Sequence, residues 1–409
     1  MDHLTRTEHL SSAQHGFRRK RSCCTQLLET LDEWTSVLEQ GDPVDAVYLD
    51  FSKAFNSVPH QRLLLKLRSC GVGGKLLDWM EAFLTGRQQR VTVNGSKSDW
   101  AVVSSGVPQG TVLGPLLFII FVNDLPGEVL SSVKMFADDT KVYRSVSQAS
   151  DIQVLQSDLD ALSEWSDRWQ LPFNRDKCKA LHLGRRNVNH VYHMRDVQLI
   201  QTSVEKDLGV HVDCHLKFRE QAAAAISKAS RILAVIRRSF SVIDEITLPL
   251  LFRAMVRPHL EYANTVWGPF NRNDQKRIER VQRRATRLVA SVRDRPYEER
   301  LRVLKLPSLY YRRRRGDMIT VYQVLRQGVD VDATKFFTTA PTSNTRGHQL
   351  KLLKPRAVSR VRRNAFSVRV INEWNALPPS VIDAPSINAF KARLDRHWVH
   401  EMYTIHIND

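Results

Sequence analysis

The sequence predicts an α+β fold in which helices cover one face of an antiparallel sheet. Short apolar segments typical of strands alternate, through the first half of the chain, with longer segments whose apolar residues recur every three or four positions. Turn sequences such as Asn94-Gly95 separate the strand-like segments and typically join antiparallel neighbours. The resulting order of strand, helix, hairpin, helix, hairpin and helix is the basis of the prediction.

The first elements can be predicted in chain order from this pattern. Residues 44–49, VDAVYL, form a short apolar run that indicates a buried strand ending at Asp50. The leucine spacing of residues 60–70 predicts a helix that Gly71 ends. A second helix is predicted over residues 76–84 by the same spacing.

The next segments extend the alternation. The sequence QRVTVNGSKSDWAVV predicts a hairpin that turns at Asn94-Gly95. A Gly- and Pro-containing loop over residues 104–115 leads into an apolar helix with the sequence LLFIIFV at residues 116–122. The segment KMFADDTKVY predicts two short strands around Asp138-Asp139, and residues 151–169 predict an amphipathic helix.

Charge divides the chain. The formal charge is +18, yet residues 1–150 carry equal numbers of basic and acidic side chains, so the whole excess follows residue 150. A basic second half predicts binding to a polyanion. The apolar stripe Ile278, Val281, Ala285 and Leu288 has arginines on its other faces, which either contact a phosphate backbone or form a solvated surface. The run Arg312 to Arg315 favours the same nucleic-acid interpretation.

Several protein classes are disfavoured. The five cysteines form no Cys-x-x-Cys pair, so a zinc site or a disulfide framework is not expected. The N-terminus lacks the apolar run of a signal peptide, and LLFIIFV is too short to span a bilayer. We therefore expect neither secretion nor a membrane partner, and a nuclear or cytoplasmic site. The sequence does not indicate the oligomeric state.

Three acidic residues are the candidates for chemistry. Asp50 ends a predicted strand, and Asp138 and Asp139 lie at a predicted hairpin tip, with the loop SGVPQG between them in sequence. Carboxylates at strand ends and hairpin tips can meet and bind two divalent ions that support an in-line displacement. Magnesium prefers such oxygen ligands. The alternatives are a helix cap or turn for Asp50 and ordinary turn chemistry for the pair.

Taken together, these motifs resemble a known family. YLDFSKAFNSVPH, SSGVPQGTVLGPLLFIIFVNDLP and FADD are similar, in this order, to the catalytic motifs of reverse transcriptases from LINE-type, non-LTR retrotransposons of the jockey and CR1 groups. The resemblance extends from QHGFRRKRS to EKDLGVHVD, and more weakly to RVINEWNALPPSVIDAPSINAFKARL. It implies an RNA-directed DNA polymerase with a right-hand palm, which uses two Mg²⁺ ions, an RNA template, a DNA primer and deoxynucleoside triphosphates.

The resemblance also implies roles for single residues. Asp50 and Asp138 would bind the metal ions, with Asp139 as a weaker participant. The substrate-binding residues would be Phe55 against the sugar, Gln109 and Gly110 at the nucleotide and template, Lys177 near the phosphates, and Arg18 in the basic segment after QHGF. Phe55 could instead be a core residue, and Lys177 an ordinary surface lysine.

The resemblance predicts three regions. Residues 1–205 would form the palm with partial fingers, residues 206–300 a basic helical thumb, and residues 301–409 a basic region of unknown role. The DLGV sequence at residues 207–210 resembles the start of the primer grip. Only thirteen residues precede Gln14, so we expect an N-terminally truncated member that lacks the upstream fingers.

Two substitutions depart from the family pattern, and two other functions remain open. Lys20 stands where the family has glycine, and Asn56 where relatives carry aspartate. Asn56 and the missing fingers fit a catalytically inactive element product that only binds nucleic acid. An unrelated metal-dependent nuclease is the third interpretation, but it gives no task to the SGVPQG loop or to Phe55.

Overall fold

The chain folds into two compact units in a computed structural model that describes residues 9–341 and 347–405. The sheet unit contains the described residues up to Gln26 together with Gly41–Ser203. The helical unit contains Leu27–Gln40 and the chain from Val204 onward. The first helix therefore begins in one unit and continues in the other, which its unbroken apolar spacing does not predict.

The strands concentrate in the sheet unit. In chain order they are β1 (Val44–Leu49), β2 (Gln88–Gln89), β3 (Thr92–Val93), β4 (Ser96–Lys97), β5 (Ala101–Val102), β6 (Ser132–Phe136), β7 (Asp139–Ser145), β8 (Lys179–Leu183), β9 (His193–Met194), β10 (Val197–Gln198), β11 (Ile200–Thr202), β12 (Val204–Asp207) and β13 (Val210–Asp213). The last two belong to the helical unit.

Five strands form the central sheet in the order β11-β8-β1-β7-β6. The strand β1 lies in the middle, antiparallel to both β7 and β8, and is buried along almost its whole length, as its largely apolar sequence predicts. The sheet is not wholly antiparallel, because β11 pairs with β8 in parallel. The hairpin of β9 and β10 lies between these two strands in sequence and lets the chain return in the same direction.

The sheet unit contains helices close to the four predicted segments and two further helices nearer the N-terminus that the sequence pattern above does not predict. They are α1 (Cys23–Gln40, shared with the helical unit), α2 (Ala54–Ser57), α3 (His60–Ser69), α4 (Gly74–Leu84), α5 (Leu113–Phe121) and α6 (Ala149–Trp169), with 3₁₀ turns at Leu125–Glu128 and Arg175–Lys177. Leucines on α3, the apolar body of α5 and the inner face of α6 share one core with the sheet. The predicted α+β class is confirmed.

A separate arm extends from the sheet unit between α4 and α5. Its strands β2 to β5 form two short antiparallel pairs, and every residue of these strands is exposed. Asn94 and Gly95 form its turn with φ values of +48° and +85°, as expected for an Asn-Gly hairpin. The predicted hairpin is therefore confirmed.

The helical unit is built from short and medium helices. They are α7 (Arg219–Ser239), α8 (Thr247–Leu251), α9 (Arg257–Glu261), α10 (Asn264–Trp267), α11 (Arg272–Thr286), α12 (Tyr297–Val303), α13 (Leu309–Leu325), α14 (Ala333–Phe336), α15 (Arg360–Asn364), α16 (Phe366–Arg369), α17 (Ile371–Ala376), α18 (Pro379–Ile382) and α19 (Ile387–His397), with a π-helical turn at Phe252–Val256 and a 3₁₀ turn at Ala290–Val292. In the described part of the chain, no helix combines the length and apolarity needed to cross a membrane.

The arginine run in α13 does not form the predicted nucleic-acid surface. Arg312, Arg314 and Arg315 form ion pairs with carboxylates of the same unit, on Glu261, Glu373, Glu401 and Asp395. The fourth member, Arg313, is buried. The run fails as a nucleic-acid signal because acidic partners far along the sequence fold back onto it.

Candidate active site

Strand pairing brings two of the predicted carboxylates to one place. Leu49, the last residue of β1, lies opposite Thr140 of β7, so Asp50 leaves the sheet beside the start of β7. Phe136 pairs with Asp139, which leaves only Ala137 and Asp138 to form the turn between β6 and β7. Asp50 and Asp138 thus reach the same end of the two central strands.

The electrostatics show that these two carboxylates interact. Partial burial raises the pKa of Asp138, and the nearby carboxylate of Asp50 raises it further. Lys177 places its Nζ 3.9 Å from Oδ2 of Asp50, and both side chains are largely open to solvent. The site therefore brings two carboxylates near each other, with the exposed Lys177 ammonium at its edge.

The backbone of Asp50 is fixed from the opposite side by the segment that precedes β8. The amide of Asn174 donates to the carbonyl of Asp50 at 2.7 Å, and the amide of Asp50 contacts Sγ of Cys178 at 3.5 Å. Burial raises the pKa of the Cys178 thiol to about 11, so it stays neutral beneath the acids. The sequence does not predict this contact, because nothing in the local sequence of Cys178 points to Asp50.

The two carboxylates fit a magnesium ion whose remaining ligands come from a substrate and from water. Among residues 9–341 and 347–405, no three side chains of His, Cys, Asp or Glu converge into a complete metal cage. Magnesium in nucleotide-handling sites is usually held by one or two carboxylates together with substrate phosphates and water. The pair Asp50 and Asp138 matches that chemistry. Asp139, the exposed first residue of β7, remains the predicted weaker participant.

The loop between β5 and α5 packs tightly against the segment that follows β1, at Phe55 and Asn56. A Cβ on Gly106 would come within 2.8 Å of the Asn56 backbone, and one on Gly114 within 2.2 Å of the Pro108 carbonyl oxygen. The Gly106 carbonyl also contacts Nε2 of buried His60 at 2.9 Å. The glycines of the SGVPQGTVLG motif are therefore required for close packing at these positions.

Phe55 lies between the loop and the core. Its ring stacks on Phe118 with centroids 4.3 Å apart, and its carbonyl accepts a 2.8 Å hydrogen bond from the amide of Val107. The ring is half-buried, so both the core interpretation and the sugar-contact prediction agree with its position. Its orientation is fixed by neighbours on two sides.

The two predicted nucleotide-contacting residues of the loop are open to solvent. Nε2 of Gln109 donates to Oδ1 of Asn56 at 3.3 Å. Gly110 has a φ of +79°, and no protein atom lies within 4 Å of the position that its Cβ would occupy. The left-handed backbone explains the glycine at this position. Asn56 therefore contributes an acceptor to Gln109, a task that an aspartate could also perform.

The segment before α1 contacts the site in a way that the sequence pattern does not predict. Arg18, the predicted substrate contact, donates from Nη1 to the carbonyl of Ser11 at 2.7 Å. Gln14 and Gly16 contact the β6–β7 turn directly. Both belong to the QHGF motif that carries the resemblance, and the Gln-x-Gly pattern within it is the available signal.

This site combines acidic residues at the ends of two antiparallel strands with a glycine-rich loop and a fixed aromatic ring. A family model for reverse transcriptase (RNA-dependent DNA polymerase) matches residues 1–213, which include every one of these features. The chain belongs to the reverse transcriptase family, whose members use divalent metal ions.

Comparison with individual proteins confirms the predicted relationship to non-LTR elements. The RNA-directed DNA polymerase from mobile element jockey of Drosophila funebris is 30% identical over 330 residues, which are 73% of this chain and 34% of that protein. The probable RNA-directed DNA polymerase from transposon X-element of Drosophila melanogaster is 28% identical over 291 residues, 68% of this chain and 31% of that protein. The chain spans about a third of the length of these relatives.

A solved structure gives a weaker match. Telomerase from Candida albicans in complex with a fragment of telomeric RNA covers 74% of this chain and 52% of its own, with a TM-score of 0.36 and 11% identity.

Proposed function

We propose that this chain catalyses RNA-directed DNA synthesis, in which a primer 3′-hydroxyl attacks a deoxynucleoside triphosphate. The observation that carries the proposal is the meeting of Asp50 and Asp138 at the ends of β1 and the β6–β7 hairpin, where partial burial and, to a lesser degree, the Asp50 carboxylate raise the pKa of Asp138. Asp50 and Asp138 would hold two Mg²⁺ ions there, and these would supply the positive charge needed for activation of the hydroxyl and departure of the pyrophosphate.

The residues around the pair have distinct tasks in this proposal. Asp50 and Asp138 hold the cations, and Asp139 contributes weakly. Phe55, fixed by its stack on Phe118, blocks the position of a ribose 2′-hydroxyl, the group that distinguishes RNA from DNA. Lys177 lies close enough to Asp50 to reach the phosphates of a nucleotide bound at the pair.

The loop and the first segment would complete the substrate site. Gln109 is exposed beside Asn56, where its amide can contact the incoming nucleotide. Gly110 leaves its backbone accessible to the nucleotide or the template. Arg18 is half-buried, and its Nη1 holds the Ser11 carbonyl; the resemblance assigns its guanidinium to a substrate phosphate.

Nucleic acid binding is proposed for the helical unit. Three exposed arginines lie toward the C-terminal end of α11: Arg280 and Arg284 within the helix and Arg287 at its C-cap. Their spacing places them on one side of the helix. We name these three the α11 arginine face. Apolar residues on the opposite side, including Ile278 and Val281, are buried, so the face is held rigidly outward. It provides the phosphate contacts expected of a thumb over residues 206–300.

A hairpin turn in the helical unit supports the primer-grip assignment of residues 207–210. Leu208 and Gly209 form the turn between β12 and β13 with φ values of +44° and +85°. The hydroxyl of Tyr262 donates to the Leu208 carbonyl at 2.8 Å, and the Tyr262 ring lies 3.2 Å from the Cβ position of Gly209. A turn fixed in this way can present its backbone to a primer strand. No role is assigned to residues 301–409.

The test is primer extension by the full chain on primed RNA with Mg²⁺, comparing Asp50→Asn and Asp138→Asn with the wild type. Metal stabilisation of transition-state charge is worth several kcal/mol, and each 1.4 kcal/mol is tenfold in rate, so we expect a fall of about 10³-fold. Binding to the primed RNA should be nearly unchanged, because the phosphate contacts lie elsewhere.

Asp78→Asn, which removes an exposed carboxylate on α4, is the matched control and should keep full activity. Extension by either active-site variant at the wild-type rate would contradict the assignment. No extension by the wild type on any primed RNA would favour the inactive nucleic-acid-binding product.

A further inference from the structure

The segment that precedes α1 forms an additional short strand beside β6, at the edge of the sheet. The amide of Met135 donates to the carbonyl of Ala13 at 2.9 Å, and the amide of His15 donates to the carbonyl of Met135 at 2.8 Å. Gln14 lies between these bonds in a parallel bridge with Met135. We name residues 13–17 the strap, and it borders the strand that leads directly into the Ala137-Asp138 turn.

Gln14 holds this turn through its side-chain amide. Its Oε1 accepts hydrogen bonds from the amide of Ala137 at 2.9 Å and from that of Gly16 at 2.7 Å, and its Nε2 lies 3.4 Å from the Ala137 carbonyl oxygen. Both groups that reach Oε1 are donors, which fixes the orientation of the amide. The side chain is 1% exposed. Gln14 therefore occupies both backbone polar groups of the residue before Asp138.

The backbone of that residue needs such support. Ala137 has a φ of +56°, in the left-handed region that is unfavourable for a residue with a Cβ. Strained conformations of this kind persist only where the surroundings fix them, and they concentrate at functional sites. Asp138 follows directly, so a relaxation of Ala137 would move its carboxylate.

Gly16 reinforces the contact by its lack of a side chain. A Cβ there would lie 2.3 Å from the amide nitrogen of Ala137 and 2.9 Å from the carbonyl carbon of Phe136. The φ of Gly16 is not in the left-handed region, so the close approach alone requires glycine. The strap also meets the proposed sugar contact, because the Phe17 ring lies edge-on to Phe55 at 6.4 Å.

We propose that the strap is a positioning element for nucleotidyl transfer, and that Gln14 is a positioning residue that keeps the Asp138 carboxylate within metal-bridging distance of Asp50. The inference rests on the proposed function. Like charges repel, so a flexible turn would separate the two carboxylates until a cation pulled them together. Magnesium requires near-ideal octahedral geometry, so carboxylates that are not already in position must rearrange when the ion binds. A turn that is fixed in advance removes the free-energy cost of this rearrangement.

The test uses the full chain with Gln14→Met, which keeps the length of the side chain and removes its polar atoms, and Gly16→Ala, which displaces the turn sterically. Partners that orient metal ligands typically contribute 10- to 100-fold to metal affinity or activity. We expect kcat to fall, and the Mg²⁺ concentration at half-maximal rate to rise, by about that factor. The KM for primed RNA should stay unchanged.

The matched control is Gln26→Met, since Gln26 is equally buried in the same unit and lies outside the strap. It should change only the free energy of unfolding. If the role of Gln14 were only structural, Gln14→Met would also lower the free energy of unfolding. The fraction of the variant that is folded would then still reach its half-maximal rate at the wild-type Mg²⁺ concentration. That result, in a wild type that extends primers, overturns the positioning role and leaves the proposed function intact.

A second readout does not depend on catalysis. Binding of Mn²⁺ in the presence of a deoxynucleoside triphosphate, followed by electron paramagnetic resonance, should be weaker in Gln14→Met by the same factor. If Gln14→Met binds Mn²⁺ more weakly and the wild type does not extend primers, the positioning role of the strap is supported and the proposed activity is overturned. Equal binding by the variant and the wild type, or no binding by the wild type, would overturn the strap.

Discussion

Each of the two units contains a carboxylate that is partly or fully buried, and the groups that surround these two carboxylates differ. In the helical unit, Glu279 is 3% exposed and accepts hydrogen bonds from the Tyr297 hydroxyl and from the amides of Leu309 and Tyr310. In the sheet unit, Asp138 is only half-buried and lies beside a second carboxylate that raises its pKa. An acid enclosed by donors stabilises the fold, whereas two acids held together at an open strand end can bind a cation.

We expect the largest effect on the free energy of unfolding from removal of the buried Glu279 carboxylate. Glu279→Ala would leave Arg313 without its main opposing charge, and the Nη1 and Nη2 groups of that buried arginine already have no hydrogen-bond partner in the described part of the chain. Removal of one member of a buried pair costs about 3–5 kcal/mol. We expect that decrease in the free energy of unfolding, measured with urea.

Glu298→Ala provides the matched control on α12. Its carboxylate is 3.8 Å from Arg302 in a solvent-exposed ion pair, which should contribute less than about 1 kcal/mol. Equal decreases in the free energy of unfolding of the two variants would show that the buried Glu279 contributes no more to stability than the exposed Glu298.

The same comparison applies to arginines. Replacing Arg280 and Arg287 of the α11 arginine face with Gln should weaken the grip on phosphates, because both side chains are exposed. Each phosphate that a protein no longer neutralises lowers the slope of log K against log salt by about 0.9 for duplex nucleic acid. We therefore expect a decrease of up to about 1.8 for the double variant, measured by binding to primed RNA across a salt series.

Arg315→Gln in α13 is the control, since its guanidinium already binds Asp395 at 2.8 Å. It should lower stability and leave the salt slope unchanged. A slope that falls equally in both variants would mean that α13 also contacts phosphates, against the ion pairs seen there.

Local pattern was enough to predict the elements that carry the site. The apolar run before Asp50, the FADD hairpin and the leucine spacing of α3, α4 and α6 are properties of short segments, and all are found where the sequence indicates them. The roles of Phe55, Gln109, Gly110, Lys177 and Arg18 came from resemblance and remain predictions. Their positions near the carboxylates or on the adjoining segment support experiments on them.

What the sequence did not predict depends on partners far along the chain. The charges of Arg312, Arg314 and Arg315 are neutralised by acids between 51 and 87 positions away. Gln14 contacts Ala137 across 123 positions, and Cys178 contacts Asp50 across 128. A single sequence contains no measure of such distances, so a charge run or a buried glutamine could not be assigned before the fold was known.

The smallest expected effect is a pH dependence of stability that comes from the half-buried carboxylate of Asp138. Because the pKa of Asp138 is raised in the folded chain, its contribution to stability is complete below its ordinary value of 3.8 and is lost as pH rises through the folded pKa. Asp138→Asn should therefore become more stable relative to the wild type as pH rises through that range. The gain should stay below about 1 kcal/mol, since the site is partly open to water.

Added Mg²⁺ should reduce this gain, because a bound cation favours the ionised carboxylate that the variant lacks. Urea unfolding of both chains at several pH values, with Mg²⁺ and with a chelator, measures the difference, and Asp78→Asn serves again as the control. If the stability of Asp138→Asn relative to the wild type were the same at every pH, Asp138 and Asp50 would not be held together in solution. The sheet unit would then lack the open acidic pair that distinguishes it from the helical unit.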